Sequence, residues 1–115
     1  MNDNIIETKS FEFAVRIVNL YKHVTGEKKE YILSKQLLRS GTSIGANVCE
    51  AQKGQSKADF NAKMNIALKE ANESDYWLRL LYRTEYLTQE EFNSIEADIK
   101  DIIAILVSIC KKTNA

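Results

Sequence analysis

No proline interrupts this chain of 115 residues, and its 4 glycines stand alone at positions 26, 41, 45 and 54. Proline and glycine are the residues a chain uses to turn sharply, the first by fixing φ, the second by tolerating positive φ. An all-β domain of this length needs many such turns, so their scarcity selects long helices joined by short connections. The length suits one domain with one core. Its 44% hydrophobic and 28% charged residues suit a soluble globular protein rather than a disordered one.

The stretch Tyr31 to Gly54 organises the rest. At about 100° per residue, Leu33, Leu37, Ile44, Val48 and Ala51 share one narrow stripe, which predicts an amphipathic helix over about residues 30–53. Gly41 and Gly45 lie beside that stripe. Glycine inside a helix costs about 0.5–1 kcal/mol relative to alanine, so the pair predicts close approach by a neighbouring helix. On the other flank Gln36, Arg39, Ser43, Asn47 and Glu50 form a polar ladder bordering the core. The ladder reads either as a solvated edge or as a hydrogen-bonded seam between helices or subunits, where each buried group needs a partner.

Residues 1–9 read as a lead-in, Ser10 as the N-cap of a helix over about 10–25, and Gly26 as its left-handed closing residue. That helix carries two apolar stripes: Phe11, Ala14, Val15, Val18 and Tyr21 on one side, Phe13, Ile17, Leu20 and Val24 on another. Such a helix is either central or a bridge to a partner chain. A short charged connection, Glu27 to Glu30, leads into the organising helix. Ser56-Lys-Ala-Asp59 then resembles a capping box opening a third helix over 57–85. Its inner stripe runs Phe60, Met64, Ala67, Ala71, Ser74, Leu78 and Leu81, and its second flank carries Ile66, Glu70, Glu73, Trp77 and Leu80.

Thr88-Gln-Glu-Glu91 is a full capping box opening the fourth helix, over 89–112, with Phe92, Ile95, Ile99, Ile102, Ile103 and Leu106 in its stripe. Ile102 to Cys110 is apolar nearly all round, a pattern that is usually covered on more than one side. Ile105 and Ile109, with Trp77, are therefore candidate oligomer or partner contacts. Short connections make sequential helices antiparallel, and the expected fold is an all-α, up-down-up-down four-helix bundle in a single domain.

Catalytic chemistry finds little support. A di-metal bundle site needs Glu-x-x-His pairs; the single histidine, His23, has Leu20 three residues before it. Cys49 has no evident base, and no glycine-rich phosphate loop is present. Arg39 and Glu70 lie on the margins of apolar faces and can pair across two helices, a structural device more often than a catalytic one. The run Tyr76-Trp77-Leu-Arg79-Leu-Leu-Tyr82-Arg83 suits base stacking or, more commonly, packing in an interface. Lysines at 53, 57 and 63 make a small basic patch diluted by nearby acids, and the formal net charge is zero, without the basic excess of a phosphate binder. MNDNIIETKS has no signal-peptide pattern, and no apolar run approaches ~20 residues. A cytoplasmic protein with Cys49 and Cys110 reduced and half-buried is expected, with no metal and no cofactor.

LSKQLLRSGTSIGANVCEA followed by GQSKADFNAKMNIALKEANESDYWLRLL resembles the bacterial 23S rRNA intervening sequence proteins. The resemblance rests on Gln36, Arg39, Ser43, Ile44, Asn47 and Glu50 in the second helix, then Ala67, Glu70 and Glu73 ahead of Trp77 and Leu78. It spans about residues 10–112. Cys49 stands where an alanine or an acid is usual, and no arginine follows Gly54. The resemblance implies an antiparallel bundle that assembles as a homopentameric ring; the family name records a gene location rather than an activity. A related branch, the accessory variability determinants of diversity-generating retroelements, forms strongly basic rings that bind protein and nucleic acid, and the zero net charge here departs from it.

The expectation is a non-enzymatic, homo-oligomeric scaffold or adaptor, with Gln36, Arg39, Ser43, Asn47, Glu50, Glu70 and Glu73 as its polar seam. The alternative is RNA binding through a surface formed only in the oligomer, with an RNA or protein partner besides self. A third, an enzyme with an acidic pocket, requires a bound metal or a strongly perturbed carboxylate.

Overall fold

The computed structural model describes residues 2–114, with side chains from residue 5 onward. Four helices follow in order: α1 (Asn2–Glu27), α2 (Leu33–Gln52), α3 (Lys57–Arg83) and α4 (Gln89–Asn114). Paired contacts give their directions. Arg39 meets Glu70 while Glu50 meets Lys63, so α2 and α3 run antiparallel. Asn61 meets Thr113 while Asp75 meets Lys100, and Lys9 meets Asp101 while Arg16 meets Asp98, which sets α4 antiparallel to both α3 and α1. Among the described residues each helix packs on two neighbours, most extensively α2 on α3 and least α1 on α4, and the backbones of diagonal helices stand apart. The 44 Å long axis is about the length of one 26-residue helix at ~1.5 Å per residue. The expected all-α bundle is what forms.

The predicted stripes become the core: Phe13, Ile17 and Val24 from α1, Leu37, Ile44 and Val48 from α2, Met64, Leu78 and Leu81 from α3, Ile99, Ile102 and Leu106 from α4. Small residues set the closest crossings. A Cβ on Gly41 would lie 2.8 Å from the Ile17 side chain, and one on Gly45 would lie 3.2 Å from the Ser10 carbonyl oxygen. The close approach expected of this glycine pair is thus made by α1. Between α2 and α3 the hydroxyls of Ser40 and Ser74 meet at 2.9 Å with no solvent contact, and Ser40 had no place in the sequence pattern.

Helix ends depart most from expectation. Ser10 caps nothing: α1 already runs from Asn2, and Ser10 is a buried small residue whose hydroxyl donates to the Glu7 carbonyl at 3.2 Å. Upstream, Ile6 extends the Phe13–Ile17 stripe, and its complete burial holds the earlier turns in the helix. Gly26 lies inside α1, and the left-handed residue is Lys29, at φ 56°. α2 starts at Leu33 rather than residue 30, because the buried carboxylate of Glu30 accepts the amides of Ile32 (3.0 Å), Leu33 (2.9 Å) and Ser34 (2.7 Å). Burial alone would raise the Glu30 pKa; the amides of Leu33, Ser34 and Ile32 outweigh it and hold it below the usual carboxylate value.

At the third helix Ser56 accepts the Asp59 amide at 3.0 Å, one half of the expected box. At the fourth, Thr88 and Glu91 exchange both bonds, at 2.8 and 3.1 Å. α3 closes at Arg83 with Glu85 left-handed, at φ 71°. The amide of Glu85 reaches the Tyr82 carbonyl at 3.0 Å and that of Tyr86 reaches Leu81 at 2.9 Å, the paired closing bonds for which glycine is the usual residue. The cysteines are both free but unlike each other: Cys49 is exposed on α2, and Cys110 is buried, which raises its thiol pKa.

Candidate functional site

The outer groove between α2 and α3 collects the polar ladder. Arg39 forks across the two helices, one terminal nitrogen lying 3.3 Å from Glu70 and the other bonding Glu73. Glu73 also accepts the indole N–H of Trp77 at 3.0 Å. The Trp77 bond and then Arg39 hold the Glu73 carboxyl below its ordinary pKa. One helical turn further along α3, the Trp77 ring meets Tyr76 edge-on, with centroids 5.0 Å apart. Arg39 is 50% exposed, so the cluster, one cation against two carboxylates, is a surface clamp rather than a buried ion pair.

The other ladder residues divide. Glu50 reaches Lys63 on α3 at 3.1 Å. Ser43 and Asn47 turn back on their own helix, the Ser43 hydroxyl donating to the Arg39 carbonyl at 2.6 Å and the Asn47 amide to Ser43 at 2.9 Å. Gln36 is exposed, its side chain without a partner among the described residues. The structure therefore brings Arg39, Glu70, Glu73 and Trp77 together, links Glu50 to the same groove, and leaves Ser43 and Asn47, both half-buried, bonded to their own helix.

The three expected contact residues also separate. Trp77 is partly buried against the core, as is Ile105. Ile109 is only 4% exposed and belongs to the chain's own interior, since α3 and α1 cover α4 from two sides. An uncovered apolar line runs along α1, where Phe11 is 66%, Val15 42% and Val18 36% exposed; Tyr31 and Ile32 before α2, and Ile66 and Tyr76 on α3, are exposed singly or in pairs elsewhere. Phe11, Val15 and Val18 belong to the first of the two sequence stripes; the second stripe faces the core.

Two further polar groups were not anticipated. Along α1 and α4, Arg16 bonds Asp98 at 2.6 Å and the Ser94 hydroxyl at 2.9 Å, with His23 lying 3.4 Å from Glu91. Across α3 and α4, Asp75 and Glu96 face each other in a largely buried position. Each acid interrupts an apolar stripe, Asp75 between Ala71 and Leu78, Glu96 between Phe92 and Ile99, a signal available in the sequence. No group of three His, Cys, Asp or Glu side chains among the described residues is placed to hold a metal. No helix there is long and apolar enough to cross a membrane.

A sequence profile of the 23S rRNA-intervening sequence proteins matches residues 2–108. The chain belongs to this family. Within it, the structure is similar to the crystal structure of a protein of unknown function from the S23 ribosomal protein family of Bacteroides thetaiotaomicron, with a TM-score of 0.94 and 61% identity over 96% of this chain and 99% of that one. No curated protein matches. For this member of the intervening sequence proteins the matched region takes in all of α1, α2 and α3 and most of α4, so the α2–α3 groove and the α1 stripe both lie within it.

Proposed function

We propose that the chain is a non-enzymatic scaffold that works as a homo-oligomer, as the five-chain ring implied by the family resemblance. The observation that carries this is the outer face of α1. Phe11 at 66% exposure, continued by Val15 and Val18, is a line of large apolar side chains on a helix whose opposite face already fills the core. Scattered exposed hydrophobics are ordinary, but an aligned stripe marks an interaction surface. A second copy of the chain is the simplest occupant. The α2–α3 clamp around Arg39 would then be a rigid polar surface beside the interface, holding two helices in register.

The test is absolute molar mass by light scattering, on the native chain and on Phe11→Ser. Because Phe11 contributes little to the monomer core, the variant should keep its helical circular dichroism and lose mass towards one chain. A native chain that runs as a monomer would overturn the scaffold reading.

A second reading, RNA binding, is favoured by one arrangement. Thr113 donates to Asn61 at 2.6 Å and Asn65 to Asn114 at 3.3 Å, which sets the end of α4 beside the start of α3. Lys53, Lys57, Lys111 and Lys112 therefore share one end of the bundle, none in an ion pair among the described residues. A ring would repeat that group around one rim. This reading predicts an elevated 260/280 absorbance ratio in the oligomer peak and an affinity for structured RNA that falls steeply with salt.

A further inference from the structure

Asp75 on α3 and Glu96 on α4 carry the chain's least ordinary chemistry. The Asp75 side chain is 10% exposed and that of Glu96 21%. Lys100 Nζ lies 3.4 Å from Asp75 Oδ2 and 3.7 Å from Glu96 Oε1, and Arg79 Nε lies 3.6 Å from Asp75 Oδ2. The remaining oxygens, Asp75 Oδ1 and Glu96 Oε2, are sealed from solvent and receive no N–H or O–H from any other group. Both carboxyl groups meet the same Lys100 ammonium, which brings the two acids and their orphaned oxygens together at the α3–α4 contact.

Two ionised carboxylates cannot satisfy each other's oxygens, because each only accepts. Left ionised, the pair would place like charges in contact and strand two buried oxygens, each costly without a donor. One proton removes both problems: an acid O–H on one side chain donates to the ionised oxygen of the other. The cations do not replace it. Lys100 and Arg79 are more than half exposed, and their contacts fall at 3.4 to 3.7 Å on the opposite oxygens.

Nothing else on the neighbouring helices competes for the site. α4 packs only on α3 and α1 among the described residues. From α1 it meets Lys9, Arg16 and His23, engaged by Asp101, Asp98 and Glu91. From α3 it meets Asp75, Arg79 and the phenol of Tyr82, whose ring stacks on Phe92, and from its own turn Lys100.

We propose that Asp75 and Glu96 share one proton across the α3–α4 contact, so that this contact is strongest in acid and weakens as the pH rises to neutrality. Burial first, and then Asp75, push the Glu96 carboxyl up to about 7 from an ordinary 4.5. The sign follows. A group whose folded pKa is raised adds stability in full below its unfolded value, and that contribution is lost as pH rises through the folded value. The window is therefore about pH 4.5 to 7, with the effect gone above it.

The experiment is urea unfolding of the full chain at pH 5.5 and 8.5, in a His23→Gln background so that no imidazole titrates, together with a carboxyl carbon NMR titration of Glu96. The expected results are a lower urea midpoint at pH 8.5 and a Glu96 midpoint near 7. Glu96→Gln, which keeps a donor facing Asp75 without a titratable proton, should flatten the difference between the two pH values. If that variant retains the full pH dependence, or Glu96 titrates near 4.5, the shared proton is overturned. Should the variant fail to fold, the NMR titration of the Glu96 carboxyl still decides.

Discussion

The guanidinium of Arg39 bonds two glutamates from another helix, yet half of its side chain stays in water, and that exposure sets what its loss should cost. A fully buried ion pair broken from one side costs about 3–5 kcal/mol; an exposed one is worth about 1 kcal/mol or less. Arg39→Ala is expected at the lower figure, a fall of roughly 4 °C in melting temperature for a chain of this size. A loss near the higher figure would mean that a second chain covers the groove in solution. Gly41 works by volume instead. A methyl there would press on Cγ1 and Cγ2 of Ile17, at 2.8 and 2.9 Å, and Ile17 is fully buried. Gly41→Ala should destabilise by about 1–3 kcal/mol, and most of that loss should vanish when it is added to Ile17→Ala. A double-mutant cycle measures the coupling.

At the scale of elements, helix interiors were legible and helix ends much less so. Apolar residues three and four apart gave the existence of every helix and the facing of α2, α3 and α4, because burial of a stripe is what holds a helix in place; α1 carried two stripes and its facing stayed open. The ends depend on single backbone conformations. Lys29 and Glu85 take left-handed turns without being glycine or asparagine, so nothing in their identity announces them, and Gly26 draws attention without using its freedom. Ser10 looked like a cap because its role depends on Gly45, which is distant in sequence. The candidate site was half legible: the Arg39–Glu70–Glu73 clamp lay in the motif, whereas burial of Ile109 and exposure of Phe11 follow from how α4 is covered and α1 is not.

Two predictions belong at this scale. Glu85→Gly should stabilise by about 0.5–1 kcal/mol, since the left-handed penalty of about 1–2 kcal/mol exceeds the entropy glycine adds to the unfolded chain; urea titration reads it. Glu30→Ala should cost about 2 kcal/mol, typical of a lost charged cap. The folded Glu30 pKa is depressed, so its contribution is present above the unfolded value near 4.5 and disappears as the pH falls. The penalty should therefore be large at pH 7 and shrink as the pH falls below 4.5, opposite in slope to that of Glu96.

For the whole molecule, the α1 stripe and the α2–α3 clamp are two distinct outer features, one apolar and one charged. If α1 meets a second copy, its amides should exchange more slowly at high protein concentration than at low, while those of α2 and α3 stay unchanged. The same measurement on Phe11→Ser should lose the concentration dependence.

Among the described residues consecutive helices pack on each other, and α1 against α4 is the one packing of helices not consecutive in the chain. Such a chain gathers its interior through neighbouring hairpins, with little loop entropy to overcome before each is rewarded, and should refold within milliseconds. The extensive α2–α3 hairpin is the natural nucleus. Closure of α1 onto α4 then comes last, along the line of Lys9–Asp101, Arg16–Asp98 and His23–Glu91, so weakening those pairs should speed unfolding and leave the folding rate almost unchanged.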